Sequence, residues 1–201
     1  MAIDSYRTVA DRAEASHRVR GSRFVGIVAP VDSVQSAEEM ITGVAADHPD
    51  ATHVVPAYRV RSDPFREYSS DDGEPSGSAG KPILSVLQGR SLENVVCVVV
   101  RYYGGTNLGV GGLVRSYQEA SKRAIDATEV VERRPHVTLQ ITTEYNDSGT
   151  VRGILEGSEA EFQASYDEAV SFDVRVPVDR ESYLRERLLD ATSGRVEMGP
   201  P

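Results

Sequence analysis

Cysteine is nearly missing from this chain: Cys97 is the single one in 201 residues. It has no partner for an intrachain disulfide. Inside the run Val95-Val96-Cys97-Val98 it reads as a small buried hydrophobe rather than a reactive thiol. Lysine is almost as scarce, with Lys81 and Lys122 alone, so nearly every cation is an arginine. Basic residues are also outnumbered, 22 against 31 acidic ones, for a formal charge of -9. That balance argues against a protein built to wrap bare phosphate backbone, though it leaves room for a local basic site. An acidic, lysine-poor surface also fits a high-salt cytoplasm. No apolar run approaches the roughly 18 residues of a membrane-spanning helix. The opening residues MAIDSYRTVADRAEAS hold no apolar signal-peptide core, so a cytoplasmic protein is expected.

Several catalytic signatures are missing too. No Gly-Lys-Ser/Thr follows a glycine loop, which excludes a Walker-type phosphate loop. Gly109-x-Gly111-x-x-Val114 lacks the third glycine of a dinucleotide loop. His17, His48, His53 and His136 are scattered, none at metal-ligand spacing. There is no Gly-x-Ser-x-Gly elbow, and Ser76 has no His/Asp partner in view, which disfavours a nucleophilic hydrolase.

What is present is a patterned α+β sequence. Residues 4–16 give an ambiguous first strand, and Ser22–Val31 a clear one ended by Pro30 and Asp32. A helix follows, opened by a capping box of Ser36 and Glu39, with Ala37, Met40, Ile41 and Val44 on one face. Thr52–Arg61 reads as a strand in which Pro56 marks an edge or bulge. Phe65–Ser69 is a short strand. Ser78 is the expected N-cap of a helix that carries Pro82 in its first turn and stops at Gly89. Val95–Val100 is apolar without alternation, the mark of a strand buried on both faces. The next helix runs to about Asp126 with Leu113, Tyr117, Ala120 and Ala124 on one side. Residues 128–136 read as a linker between domains at 1–130 and 137–201. The second domain follows the order β-α-β-β-α-β, which is ferredoxin-like.

Two loops in Asp71–Tyr117 stand out. The acidic loop carries Asp71, Asp72 and Glu74. Three carboxylates in four residues suit Mg²⁺ binding, with Asp71 and Asp72 as the candidate ligands. They also suit acid/base chemistry, or turn residues that cap backbone N–H groups. The second loop, Tyr103–Gly112, places glycines ahead of a helix N-terminus. Backbone N–H groups there can face an anion, or the glycines can serve close packing.

At these loops the sequence resembles the IMPACT family. The matching residues are Asp71–Pro82, Val100–Gly105 and Leu108–Tyr117, with Ser22-x-Phe24, Ala51-Thr52-His53 and Ala57-Tyr58. Together they span about residues 20–125. Ser78 stands where the family more often has Thr and keeps the hydroxyl; Asn107 stands where it often has Lys and removes a charge. The resemblance implies an N-terminal fold like ribosomal protein S5 domain 2. It also implies a ferredoxin-like C-terminal domain resembling elongation factor G domain V. Eukaryotic relatives act in translational control, competing for the activator of a stress-responsive initiation kinase, and carry an N-terminal RWD domain. These 201 residues hold no such domain, so that partner is not carried over.

Three functions are weighed. The favoured one is a translation-linked regulatory protein contacting RNA, the ribosome or a translation-control protein through a cleft between the two loops. His53, Glu74, Ser76, Lys81 and Arg101 are its candidate residues, joined by Gly104, Gly105, Gly109, Gly111, Gly112 and Arg115. The alternatives are a Mg²⁺-dependent enzyme on a nucleotide or phosphorylated substrate, and a protein-interaction module without a small ligand.

Overall fold

The computed structural model describes residues 5–167 and 169–199. They form two compact units that divide between Arg133 and Arg134. Both mix helices and sheet, so the architecture is α+β in two parts. No helix among the described residues is long and apolar enough to cross a membrane.

In the first unit, β1 (Tyr6–Val9), β2 (Ala13–Val19) and β3 (Ser22–Pro30) precede α1 (Val34–Asp47). Then come β4 (His53–Val60), β5 (Arg66–Ser69), α2 (Gly80–Gly89), β6 (Val95–Tyr102), α3 (Gly109–Asp126) and β7 (Val130–Arg133). Five strands build one sheet in the order β2-β3-β6-β4-β5, every pair antiparallel. The central position of β6 explains its unbroken apolar run. Val95, Cys97 and Val99 enter the core shared with α2 and α3. Val96, Val98 and Val100 enter the core shared with α1. Burial pushes the Cys97 thiol up to about 12, so the thiolate needed for reactivity is suppressed at neutral pH.

Three local expectations change. The cap of α1 is Ser33, not Ser36. The Ser33 hydroxyl accepts the Ser36 N–H and Ser36 returns the bond to the Ser33 N–H. The N–H of Val31 still bonds the Asn94 carbonyl, so the chain turns straight from the sheet and the first hydroxyl takes the cap. Pro56 does not put β4 on the edge of the sheet, since β4 lies between β6 and β5; it marks only a local edge, where β5 has ended. It falls just past the Ala57↔Ser69 end of the β5 ladder, where its missing N–H is not called upon, and its carbonyl accepts the Ser70 N–H. Residues 130–133 are not linker. They pair with β1, from Val9↔Val130 to Tyr6↔Arg133, and Val130 packs on the main core.

The second unit runs β8 (His136–Thr143), α4 (Tyr145–Glu156), β9 (Glu161–Tyr166), β10 (Val170–Pro177), α5 (Val178–Ala191) and β11 (Glu197–Gly199). Its sheet has the antiparallel order β11-β8-β10-β9. Alternate residues Leu139, Ile141, Phe172 and Val174 share one core with Val151 and Leu155 of α4 and with Leu184 and Leu188 of α5. Helices cover one face only, so these strands alternate where β6 does not. Glu168, between β9 and β10, lies outside the described residues.

Candidate functional site: a cleft between two loops

The acidic loop connects β5 to α2, and each of its carboxylates has a separate task. Asp71 Oδ1 accepts the N–H groups of Ala79 at 3.0 Å and Gly80 at 2.8 Å, while Oδ2 accepts that of Gly77 at 2.7 Å. Asp71 therefore satisfies the orphan donors at the start of α2. Ser78, the expected cap, does not: its hydroxyl is buried and finds no partner. The helix start is drawn onto the base of its own loop. A Cβ on Gly80 would sit 2.4 Å from the Ser70 carbonyl oxygen, which holds the helix within reach of Asp71. Burial works to raise the Asp71 carboxyl. The three backbone N–H bonds, with Lys81 nearby, outweigh it and hold the group below the usual carboxylate range.

Asp72 ties the loop to β4. Its Oδ2 accepts the Val54 N–H at 2.6 Å, and its carbonyl meets His53 Nδ1 at 2.6 Å. Its φ of 45° is left-handed, a conformation Asp tolerates better than most residues. Asp71 and Asp72, expected as metal ligands, thus spend carboxylate oxygens on backbone N–H groups. Among the described residues no group of three or more His, Cys, Asp and Glu stands where it could hold a metal ion.

Glu74 is the buried centre, 8 % exposed. Its Oε1 accepts Arg101 Nη1 and Tyr117 Oη, both at 2.6 Å. Arg101, at the end of β6 and opposite His53 in the β4 register, is 5 % exposed. Its guanidinium lies between the rings of Phe24 and Tyr103, 5.5 and 5.3 Å from their centroids. Burial first, then the bond to Glu74, push the Tyr117 hydroxyl far above its ordinary range. It stays a donor at any physiological pH.

His53 completes the floor. A carbonyl can only accept, so the bond to Asp72 places the ring proton on Nδ1. Nε2 then turns its lone pair toward Glu74 Oε2, 3.9 Å away. That distance is too long for a hydrogen bond. In the neutral imidazole, two acceptors face each other across a gap.

The glycine loop forms the opposite wall. Tyr103 N–H bonds Thr52 Oγ1 and Gly104 N–H bonds Ser22 Oγ. A Cβ on Gly104 would lie 2.0 Å from the Gly21 carbonyl carbon, so only glycine lets this loop lie on the β2–β3 turn. The open cleft between the walls measures about 540 Å³ and is lined by Thr52, His53, Glu74, Pro75, Arg101, Tyr103, Asn107, Leu108, Gly109, Val110 and Leu113.

Of the expected cleft residues, His53, Glu74, Arg101 and Gly109 line this cavity. Gly104 and Gly105 shape the loop behind it. Ser76 and Lys81 are exposed away from it. Gly111 lies on the outer first turn of α3. Gly112 and Arg115 line a different groove, which corrects their assignment. Sequence reading missed Tyr117 as a site residue, although a tyrosine in a stripe of Leu and Ala carries a polar tip needing a partner.

All of these residues fall within 20–125, which matches the family model of the Impact N-terminal domain. Residues 141–195 match a domain of unknown function, DUF1949. The chain is 32% identical to the IMPACT family member YvyE of Bacillus subtilis, over 98% of this chain and 91% of that protein. It is 30% identical to YigZ of Escherichia coli, over 98% of each. The IMPACT homolog of Saccharomyces cerevisiae is 34% identical over 95 residues, 45% of this chain and 36% of that protein. A crystal structure of a hypothetical protein superposes with a TM-score of 0.74 at 30% identity, covering 98% of this chain and 97% of that one. With one family model spanning more than half of it and relatives matching nearly end to end, the chain belongs to the IMPACT family.

Proposed function

We propose that this chain is a cytoplasmic, translation-linked regulatory protein that binds a protein partner, and that the cleft receives a hydrogen-bond donor from that partner. The translational link rests on family membership, since eukaryotic relatives act in translational control. The S5 domain 2-like and elongation factor G domain V-like readings of the two units belong to the same proposal. For the second unit, the element order β-α-β-β-α-β and the sheet order support the ferredoxin-like label.

The facing acceptors His53 Nε2 and Glu74 Oε2 carry the assignment of the cleft. A group with at least two N–H donors lodged between them, a primary amide or an ammonium, satisfies both. The surroundings favour a polypeptide. The one cation on the floor, Arg101, is buried and already paired with Glu74, so little positive field remains for a phosphate. The rim is apolar and aromatic: Tyr103 is 46% and Val110 57% exposed. Exposed aromatic anchors around a small polar floor are the usual make-up of a protein-binding hot spot.

Photocrosslinking tests this. With p-benzoyl-phenylalanine in place of Val110 in growing cells, we expect an adduct with a polypeptide of the translation apparatus. His53→Ala in the same chain should abolish it. No adduct above that from an exposed control position, Leu189, would overturn the proposal.

A further inference from the structure

A second cavity, of about 800 Å³, lies between β2 and α3, and it is basic. Arg18 and Arg20 reach it from β2 and its turn; Arg115, Lys122 and Arg123 reach it from α3. The groove holds one carboxylate, Glu119, and Arg123 already occupies it at 2.6 Å. The other four cations have no carboxylate within ion-pair distance among the described residues. Elsewhere the arginines are mostly spoken for, as in Arg59–Glu67, Arg90–Asp126 and Arg195–Asp147. On a chain of net charge -9, four unpaired cations along one groove are a concentration that composition alone does not supply.

Arg20 adds a second observation. It sits with φ of 46° beside Gly21 in the two-residue turn joining β2 to β3. Hairpin turns of this length favour Asn, Asp or Gly at such a position. Among the described residues the arginine there has no side-chain hydrogen bond or ion pair that would account for it. Its backbone is fixed nonetheless, because the turn is locked against the glycine loop through Gly104.

We propose that this groove binds the phosphodiester backbone of a single-stranded nucleic acid. Guanidinium forks match phosphate oxygens in pairs, which favours a phosphate ligand over a simple counter-ion. The distant acidic surface does not cancel the site, since at physiological ionic strength exposed charges beyond about 8 Å are screened. The groove presents no free aromatic platform, as its one ring, His17, is stacked on Phe24. The binding is therefore by backbone charge and independent of base sequence. The surface is separate from the acceptor pair of His53 and Glu74, so it stands or falls independently of the proposed function.

Fluorescence anisotropy with a labelled oligouridylate, its deoxy counterpart and a polyglutamate peptide of equal charge tests the groove. Each phosphate contact adds about 0.7 to the salt slope for a single strand, so four contacts weaken binding about fifty-fold between 50 and 200 mM salt. Arg20→Ala combined with Lys122→Ala should weaken binding at low salt and reduce that factor to about sevenfold. The same charge change in the second unit, Arg180→Ala with Arg187→Ala, should leave both unchanged. Equal binding of the two oligonucleotides indicates backbone recognition; preference for RNA adds a contact to the 2′-hydroxyl. Either supports the proposal. No binding at 50 mM salt, equal binding of polyglutamate, or indifference to the groove variant overturns it.

Discussion

Replacing Glu74 with alanine should destabilise the protein by about 3–5 kcal/mol. The Glu74 and Arg101 side chains are both almost wholly buried, and Arg101 Nη1 donates to Glu74 at 2.6 Å. Removal of the carboxylate leaves a guanidinium charge in the core with no counter-charge. It also strands the Tyr117 hydroxyl, whose acceptor is the same oxygen. Arg101 Nε is already buried without a partner, so the guanidinium has no second acceptor to turn to. Glu74→Gln keeps the volume and one acceptor and should lose less. The diagnostic variant is the double one, Glu74→Leu with Arg101→Met. It removes both charges and should recover a large part of the loss, because an apolar pair of similar size has no desolvation to overcome. Urea denaturation followed by circular dichroism reads all three. If Glu74→Ala costs less than about 1 kcal/mol, the pair does not hold the floor of the cleft.

Asp71→Ala should cost about 2–4 kcal/mol, from three backbone donors losing a charged acceptor at once. Ala79 and Gly80 are buried, so water replaces the lost bonds poorly. The variant should also change the acid limb of stability. The folded Asp71 carboxyl lies below its unfolded value, which is about 3.9. Its contribution is therefore complete above that pH and is lost as the pH falls through the lower, folded value. In Asp71→Ala this part of the acid-induced loss should vanish, giving a flatter stability profile below about pH 4. Parallel profiles for the two proteins would contradict the capping role.

The buried strand β6 was legible because a run without alternation has one common cause, helices on both faces of the sheet. The rhythm of the second unit was legible for the opposite reason: helices on one face leave a clean alternation. The expectations that failed are those where a distant residue supplies the missing part. The α2 cap was assigned to Ser78 because cap rules look one turn away, whereas Asp71 reaches across a folded loop. Val130–Arg133 looked like linker because its partner β1 lies at the other end of the unit. In the cleft, a motif match drew attention to both loops but not to which side chains turn inward. Leu113 and Tyr117, four apart, share the inner face of α3; Arg115, two residues on from Leu113, points the other way and enters the basic groove. Glu74, His53 and Tyr117 become a set only when β4, the acidic loop and α3 meet.

The most direct measurement is the tautomer of the His53 ring, read from long-range ¹H–¹⁵N spectra of the neutral imidazole. The geometry calls for a protonated Nδ1 donating to the Asp72 carbonyl and a bare Nε2 turned to Glu74, with Nε2 shifting when the partner binds. A proton on Nε2 instead would remove one of the two facing acceptors and leave a bare Nδ1 against the Asp72 carbonyl, and would contradict the cleft as a binding site.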